Sequence, residues 1–590
     1  MPIEKQWVVK TQGDSLIVEQ LARALKIRPV LANLLVQRGI DTQEKARKFF
    51  SPRLEDLYDP FLMKDMDRAV ERVEKAVARN EKIMVYGDYD VDGTTAVALV
   101  YKFLRRIGHE NLMFYIPDRY TEGYGISTKG IDYAVKTGAS LIIALDCGIK
   151  AVEKVAYASE RDVDFIICDH HLPAEEIPHA VAVLDPKRTD CSYPFDELSG
   201  CGVGFKLVQA YAKKHDIPFS ELEYLLDLLV VSIASDIVSL TDENRILAHY
   251  GLKRINTSPS EGLLSIISTC KLVPDDQHPK QAITIDDIVF KIGPRINAAG
   301  RMRVDADSDT PSGGYAAVKL LVEGDVELAK EFSDIINTFN IDRKTIDRQV
   351  TQEAFNYVEN SEELKNCKSI VIYNPQWMKG IVGIVASRLI ETYYKPTVVL
   401  TMNNGFVTGS ARSIPGFDLY QAIESCSDIL ENFGGHMYAA GLTLRQENVD
   451  EFKRRFNAYV EEHIDTSMMI PQVEIDTKIS FLDITPSLYK DLMRFQPFGP
   501  GNNSPVFMSK NVYNNGDAQL VGQDKGHLRM SLMQNEKPHG SLQAIAFQQP
   551  QLFSWIKKGH PVNICYQIVE NEYRGATSLQ LRIKDINKAK

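Results

Sequence analysis

Residues 85–93 of the chain read Val85-Tyr86-Gly87-Asp88-Tyr89-Asp90-Val91-Asp92-Gly93, with three aspartates at alternate positions. A short apolar run precedes them, and the residues from Thr94 onward are typical of a helix start. Side chains i and i+2 of an extended segment share a face, so we expect the three carboxylates to lie together. Crowded carboxylates repel one another unless a cation holds them. The hypothesis is therefore a magnesium or manganese site, and the alternative is a solvated acidic turn.

Composition sets the class of protein. A chain of 590 residues predicts several domains, and 44% hydrophobic with 25% charged residues is ordinary for a globular enzyme. The net charge of -11 argues against a generally basic nucleic-acid-binding surface, although a local basic groove stays possible. The eight cysteines form no Cys-x-x-Cys pair, which favours a reducing compartment and argues against a thiolate zinc site. Without a signal core or a long apolar run, we expect a soluble, cytoplasmic protein.

Strand and helix patterns alternate from the strand that begins at Ile83 to about residue 185. Such alternation predicts a mainly parallel sheet with helices on both faces. The predicted strands are Ile83–Tyr86, Leu112–Ile116, Leu141–Leu145, Phe165–Cys168 and Ala180–Leu184, and the predicted helices are Thr94–Ile107, Thr128–Thr137 and Ala151–Arg161.

Polar residues follow several of these strands directly. The three aspartates follow the first strand, Asp146 the third, and Asp169-His170-His171 the fourth. Because ligands bind outside the carboxyl ends of parallel strands, this placement favours a metal site over surface decoration.

Asp236 ends a strongly apolar segment, residues 222–238, which we expect to be a buried helix. A carboxylate in that setting needs a partner. Either nearby backbone groups or a cation at the sheet edge would supply one.

Gly293–Arg303 places three arginines in a stretch rich in glycine and alanine, where the backbone can approach a ligand closely. Arginine there suits phosphate binding, although a solvated surface loop is the alternative. Residues 313–360 then predict one or two connecting helices.

The rest of the chain divides into further domains. A second α/β unit is expected over 361–468, with strands Ile370–Tyr373, Thr397–Leu400 and Phe406–Gly409 and helices Ile381–Tyr393, Leu419–Asn432 and Val449–His463. Short β-type runs over 469–590 predict a small barrel, and the nucleic-acid-binding OB-fold is one candidate for it. Residues 1–60 are expected to be a helical leader, and 61–312 the catalytic domain.

The spacing Asp-x-Asp-x-Asp-Gly, a strand-end Asp, Asp-His-His and a helix-borne Asp closely resembles the DHH phosphoesterase superfamily. Within it, the chain is similar to the RecJ family of single-strand-specific exonucleases over almost its whole length. Further stretches that carry this resemblance are Leu35–Ile40, Ile116–Gly125, Gly293–Arg301, Gly434–Gly441 and Pro497–Asn502.

The resemblance implies roles for individual residues. The implied metal ligands are Asp88, Asp90, Asp92, Asp146, His170 and Asp236, with Asp146 bridging two cations. The implied substrate-binding residues are Arg119, Arg295, Asn297, Arg301, Ser410, Arg412 and His436. Asp146, His170, His171, Arg295 and His436 are the implied catalytic residues. Tyr86 stands where the superfamily usually has a histidine, which leaves the role of Asp88 open.

The resemblance implies that three of the substrate-binding residues bind a terminal 5′-phosphate: Arg119, Ser410 and Arg412. Arg295 and His436 would lie near the scissile phosphate, and His171 would orient that phosphate or a ligand.

We therefore expect a metal-dependent exonuclease that removes nucleotides from single-stranded DNA in the 5′→3′ direction, in repair and recombination. Two divalent cations can clamp the attacking and leaving oxygens at phosphorus, and a histidine ligand favours manganese, with magnesium as a substitute. The resemblance implies single-strand-binding protein and a helicase as partners. We expect the protein itself to be a monomer. The alternatives are a phosphodiesterase for cyclic dinucleotides or short oligonucleotides, and a non-catalytic DNA-binding scaffold.

Overall fold

The computed structural model describes residues 4–273, 282–302, 313–534, 541–573 and 576–589. Arg303 and the rest of 303–312 therefore lie outside the described residues. Two compact units are present, one of Leu54–Met469 and one that joins Met1–Arg53 to Ile470–Lys590. Among the described helices, none has the length and apolar character needed to cross a membrane.

The helices and strands run in chain order as follows. Residues before 54 form β1 (Gln6–Val9), α1 (Ser15–Leu25), α2 (Pro29–Val36) and α3 (Gln43–Phe50). The next part forms α4 (Met66–Ala78), β2 (Lys82–Gly87), α5 (Val91–Arg106), β3 (Leu112–Tyr115), α6 (Thr128–Thr137), β4 (Ala139–Leu145), α7 (Val152–Ser159), β5 (Asp164–Cys168), β6 (Ala182–Leu184), α8 (Gly200–Lys214), α9 (Leu226–Ser235), α10 (Asp242–Thr257), α11 (Glu261–Thr269), α12 (Ile285–Asp287) and α13 (Gly293–Ala299).

The second half continues the list. Residues 313–469 form α14 (Gly313–Val322), α15 (Val326–Glu359), α16 (Glu362–Asn366), β7 (Ile370–Tyr373), α17 (Lys379–Tyr393), β8 (Thr397–Asn403), β9 (Phe406–Arg412), α18 (Leu419–Glu424), β10 (Leu430–His436), β11 (Ala439–Leu444) and α19 (Val449–His463). The last part forms β12 (Gln472–Ile475), β13 (Thr477–Lys478), α20 (Pro486–Met493), β14 (Phe507–Asn514), β15 (Gln519–Val521), β16 (His527–Gln534), β17 (Leu542–Ala546), α21 (Phe553–Lys557), β18 (Val562–Tyr573) and β19 (Ala576–Lys588).

The first sheet is parallel, with strand order β3-β2-β4-β5-β6. Alternate residues of β2 enter two different cores. Ile83 and Val85 pack with α4, α5, α8 and α9, whereas Met84 and Tyr86 pack with α6 and α7. Burial on both faces explains why the strands are apolar runs, and the predicted parallel sheet is confirmed.

The aspartate-rich stretch does not continue β2 as an extended strand. β2 ends at Gly87, and the side chain of Asp90 accepts a hydrogen bond from the backbone N–H of Gly93 at 3.0 Å. Asp90 is thus the N-cap of α5, and Asp92 lies in its first turn. The expectation that alternation along a strand would align the three carboxylates was wrong, because a capping bond starts the helix before Thr94.

The helices predicted within residues 313–360 are present as α14 and α15. The two ends of α15 belong to different cores: Ile336 and Phe339 pack with the first sheet's helices, whereas Val350, Ala354 and Val358 pack beside β7 and α17. The connector is therefore a structural part of both domains it joins.

The second sheet has strand order β10-β11-β9-β8-β7, with β7 and β8 parallel and the other pairs antiparallel. The helix predicted over Leu419–Asn432 was wrong beyond Glu424, because Leu430–His436 is a strand that pairs with β11. Gly434 and Gly435 disfavour a helix there and permit a close hairpin.

The other unit contains a closed barrel. Its ring of pairings runs β14-β18-β19-β17-β16 and back to β14, which confirms an OB-like architecture. Leu31, Leu34 and Leu35 of the predicted leader share one core with barrel residues such as Phe507. The strand β1, which sequence reasoning missed, pairs in parallel with β12.

Candidate metal centre and arginine pocket

Four of the first sheet's strands are each followed directly by an aspartate. These residues are Asp88 after β2, Asp146 after β4, Asp169 after β5 and Asp185 after β6. Parallel strands bring their carboxyl ends to one edge, so the sheet gathers the four acids. Sequence reasoning missed Asp185, although its position relative to its strand matches that of Asp146 and Asp169.

A group of potential metal ligands surrounds the ring of His170. Its Nε2 lies 3.2 Å from Asp146 Oδ1, 3.6 Å from Asp236 Oδ2 and 3.8 Å from Asp92 Oδ2. Two sets have ligand atoms within 4.8 Å of one another: Asp92, His170 and Asp236, and Asp146, His170 and His171. We call these five residues the metal centre. The structure thus brings together ligands that lie far apart in sequence.

The buried polar atoms of the metal centre fit a divalent cation. Asp146 Oδ1 and both ring nitrogens of His170 are buried and have no hydrogen-bond partner among the described residues. Burial, followed by repulsion from neighbouring aspartates, raises the pKa of Asp146 and of Asp236 well above the ordinary range. Because unpartnered buried carboxylates are costly, oxygen-preferring cations would satisfy these groups.

Asp92 is anchored by the start of α8. Its carboxylate accepts backbone N–H groups of Gly200 at 2.6 Å and Cys201 at 2.9 Å, and the Ser232 hydroxyl at 2.6 Å. Burial raises its pKa, which the nearby His170 lowers in part. These bonds fix the carboxylate so that Oδ2 faces His170.

The other two predicted ligands of the opening stretch lie outside the two ligand sets. Asp90 caps α5 and interacts electrostatically with Asp146 and Asp236. Asp88 is buried, and its Oδ1 has no hydrogen-bond partner in the described part of the chain. Burial and then the charge of Asp90 raise the pKa of Asp88, whereas Arg119 lowers it. Their ligation of a metal stays a prediction.

Asp169 positions the two histidines. Its Oδ1 accepts the backbone N–H of His170 at 2.8 Å and lies 2.7 Å from His171 Nδ1, while Oδ2 accepts the N–H of Ile149 at 2.9 Å. Burial raises the pKa of Asp169. His171 and these hydrogen bonds favour the ionised carboxylate, and the net result is a pKa lowered to about 2. Burial lowers the pKa of His171, but the bond to Asp169 reverses this and the net direction is upward.

A glycine allows the close approach of α8 to Asp146. A Cβ atom on Gly200 would lie 2.6 Å from the Cβ and 2.8 Å from the Oδ1 of Asp146. Asp146 itself has a φ of 58°, an uncommon backbone conformation for a residue with a side chain. Sequence reasoning did not single out Gly200; the only signal was the run Gly200-Cys201-Gly202.

Three of the predicted substrate-binding arginines converge in the same unit, and with Ser410 we call them the arginine pocket. Arg119 donates to the Gly300 carbonyl at 2.9 Å, Arg301 to the Gly380 carbonyl at 3.3 Å, and Arg412 to Ser410 Oγ at 3.0 Å. Burial, and then the charges of Arg119, Arg343 and Arg412, lower the pKa of Arg301 to about 10. Such a cluster favours an anion.

His436 connects the two sites electrostatically. Burial, followed by the charges of Arg412 and His171, lowers its pKa. Asn297 Oδ1 accepts the backbone N–H of Val91 at 3.2 Å and so fixes the first turn of α5. Arg295 donates to the Lys291 carbonyl at 2.7 Å and to Asn337 at 3.2 Å, against the connecting helix.

Two basic residues near these sites were missed by sequence reasoning. Lys187, just beyond β6, is close enough to Asp236 and His170 to lower the pKa of both. Arg343 on α15 acts on Arg301 in the same way. In the sequence, both stand in ordinary polar stretches without a local motif.

Comparison with known families agrees with this architecture. Residues 82–233 match the DHH family, N-terminal domain; residues 366–462 match the DHHA1 domain; and residues 475–585 match the RecJ OB domain.

Individual proteins resemble the chain over most of its length. A single-stranded-DNA-specific exonuclease RecJ of Bacillus subtilis (strain 168) is 37% identical over 98% of this chain and 70% of the relative. The crystal structure of RecJ in complex with Mn²⁺ from Thermus thermophilus shares the fold, with a TM-score of 0.83, 24% identity, and coverage of 99% of this chain and 80% of that one. A crystal structure of exonuclease RecJ bound to manganese has a TM-score of 0.58 and 28% identity, covering 70% of this chain and 97% of that one. The chain belongs to the RecJ family of exonucleases.

Proposed function

We propose that this protein is a single-stranded-DNA-specific exonuclease that hydrolyses phosphodiester bonds from the 5′ end and releases nucleotides, in DNA repair and recombination. The observation that carries the proposal is the metal centre, with its orphaned buried ligand atoms, in the same unit as a cluster of partly buried arginines. Family membership supports the reaction class, because the B. subtilis relative bears that activity in its name.

We assign two divalent cations to the centre, manganese in preference to magnesium. Asp92, His170 and Asp236 would hold one, and Asp146 with Asp88 and Asp90 are the candidate ligands toward the other. When bound, such ions stabilise the attacking and leaving oxygens of an in-line displacement at phosphorus. The histidine donors favour manganese, and the 28% identical RecJ structure contains that metal.

The protein's own groups orient the phosphate. Ionised Asp169 fixes the ring of His171. The raised pKa of His171 keeps more of its imidazole protonated, so that the ring can donate a hydrogen bond to a phosphate oxygen. Tyr124 donates its hydroxyl hydrogen to the Asp146 carbonyl at 3.1 Å and lies 3.2 Å from His171 Nε2. His436, whose pKa is lowered, is the matching neutral group beside Arg412.

We assign the arginine pocket to the 5′-phosphate. A terminal phosphate carries more charge than an internal one, so a cluster of partly buried guanidinium groups favours an end over a continuous strand. Gly383 makes room there, since a Cβ on it would lie 3.0 Å from Ser410 Oγ and 3.3 Å from an Arg412 nitrogen. The preference for an end then gives the enzyme its direction.

The barrel unit is assigned a general role in binding single strands. Exposed Tyr513 and Phe547 are candidates for stacking on bases, and the ring of His527 lies 5.2 Å from that of Phe547. Single-strand-binding protein and a helicase are proposed partners, a monomer the proposed state, and the cytoplasm the proposed compartment.

Digestion of end-labelled oligonucleotides tests the proposal. With manganese, a 5′ label should leave at once as a mononucleotide, whereas a 3′ label should yield a ladder of shortening fragments. A duplex should resist, and a chelator should stop both reactions. Release of the 3′ label first would refute the direction, and cleavage in chelator would refute the metal dependence.

The same assay separates the alternatives. A cyclic dinucleotide or a dinucleotide cleaved much faster than a long strand would favour the short-substrate phosphodiesterase. Binding without cleavage would favour the scaffold, which the intact ligand set argues against.

A further inference from the structure

Two large apolar side chains stand exposed next to the metal centre. Leu172 is 66% exposed and directly follows His171, and Ile237 is 67% exposed and directly follows Asp236. Consecutive Cα atoms lie about 3.8 Å apart, so both side chains leave the chain beside a ligand. We call these two residues the apolar rim.

Backbone strain distinguishes Ile237 from an ordinary exposed side chain. Its φ is 60°, in the left-handed region, where a β-branched residue is a clear outlier. Scattered exposed leucines need no explanation, but a strained, exposed isoleucine beside a metal ligand is a candidate for function.

The sheet order places the rim on one side of the metal centre. Arg119 of the arginine pocket follows β3, at one edge of the sheet, whereas Leu172 follows β5, three strands further along. Asp146 follows β4, between them. At about 4.8 Å per strand the step from β3 to β5 is about 14 Å. Asp236 belongs to the same side as Leu172, because its Oδ2 lies 3.6 Å from Nε2 of His170, which follows β5.

We propose that the apolar rim contacts the base of the nucleotide on the 3′ side of the scissile bond, which is the second nucleotide of the strand. The inference rests on the proposed function, with the 5′-phosphate in the arginine pocket and the first phosphodiester at the metal centre. A DNA strand bound in that direction must leave the metal centre on the side of the sheet where β5 and β6 lie. Apolar side chains hold any base by its face, which suits an enzyme without sequence preference.

Abasic substrates combined with rim variants test this contact. A 5′-phosphorylated oligothymidylate is prepared intact, with one abasic residue at the second position, or with one at the eighth. First-bond cleavage is measured in single-turnover reactions with manganese. For the unaltered protein, we expect the second-position abasic substrate to be cleaved about fivefold more slowly, and the eighth-position substrate as fast as the intact one.

The rim variants should lose this discrimination. Leu172→Ala and Ile237→Gly should each cleave the intact strand more slowly, yet show a smaller penalty for the missing base. Val326→Ala is the matched control, since Val326 is 61% exposed at the first residue of α15. That control should keep the fivefold penalty.

Thermal unfolding distinguishes a variant that loses the contact with the base from a variant that loses stability of the fold. Ile237→Gly should raise the melting temperature, because glycine adopts a positive φ without strain. Leu172→Ala tests the contact independently of that strain. If both variants keep the full penalty for the second-position abasic residue, the inference is wrong. If the unaltered protein fails to cut single strands with manganese, the proposed function itself is wrong.

Discussion

The metal centre is a mainly acidic cluster and the arginine pocket is a basic one. Different structural elements hold each cluster in place. The acidic cluster is held by rigid elements: strand ends carry Asp146 and His170, and the N-terminus of α8 fixes Asp92. The arginines instead donate to carbonyl and hydroxyl oxygens, as Arg119 does to Gly300. Each cluster of charged side chains raises the free energy of the folded protein unless a group of opposite charge binds there.

The difference shows what each cluster can recognise. Buried carboxylates with orphaned oxygens demand a small, hard cation at a defined point. Long guanidinium side chains give a broader surface that suits the several oxygens of a phosphate. The proposed function therefore assigns chemistry to the first cluster and recognition of the strand's end to the second, and variants should separate the two.

Removing a central carboxylate should have the largest effect. Asp146→Asn should lower manganese-dependent cleavage by at least about 10³-fold, since it removes a candidate metal ligand beside His170. The same variant should unfold at a higher temperature in chelator, because it relieves repulsion from Asp92, Asp90 and Asp236. Asp132→Asn, at an exposed residue bonded to Tyr157, is the control. Retained activity would contradict the assignment of Asp146.

Crowding the centre without changing its charge should cost less. Gly200→Ala should reduce cleavage by about 10²-fold and weaken manganese binding measured by calorimetry, because the added methyl would displace Asp146. Gly202→Ala lies two residues further along α8, where a Cβ would meet atoms at 3.4 to 3.5 Å in ordinary contact. It should retain activity; equal losses in both variants would mean that α8 tolerates neither change for reasons unrelated to Asp146.

An arginine-pocket variant should alter selectivity more than chemistry. Arg412→Gln should remove about 10- to 100-fold of the preference for a 5′-phosphate over a 5′-hydroxyl, as expected for one charge-assisted contact. Rates on the hydroxyl substrate should change little. Arg454→Gln, which alters a 70% exposed arginine of α19, should leave the preference intact. An unchanged ratio in Arg412→Gln would place the 5′-phosphate elsewhere.

The smallest effect concerns stability and pH. Burial, with repulsion from Asp169 as a further cause, raises the pKa of Asp185 from 3.8 to about 7. Between those values the folded state binds more protons than the unfolded state, so stability falls as pH rises and levels off above 7. Asp185→Asn, which keeps an acceptor for the Lys187 N–H, should match the native protein near pH 4 and melt at a higher temperature at pH 8 in chelator. Parallel melting curves across that range would contradict the shift.

Parts of the site could be predicted because they depend on local rules. A strand followed by an acid predicts a polar sheet edge, so Asp146, His170 and the helix-borne Asp236 were found correctly as neighbours. Asp92 was predicted for the wrong reason, since a helix turn and not strand alternation aims it. Lys187 and Arg343 carry no local signal, and Gly200 carries only the run Gly200-Cys201-Gly202, because the importance of these residues comes from what other segments place beside them.

By itself, the sequence determined the alternating architecture of the first sheet and the acidic and histidine residues at its edge, because hydrophobic period and strand-end chemistry are written in neighbouring residues. Only the tertiary structure decided that Asp169 orients His171, that β10 replaces a predicted helix end, and that the leader shares a core with the barrel. These features depend on contacts between distant segments, where the free energy of packing overrides local propensity.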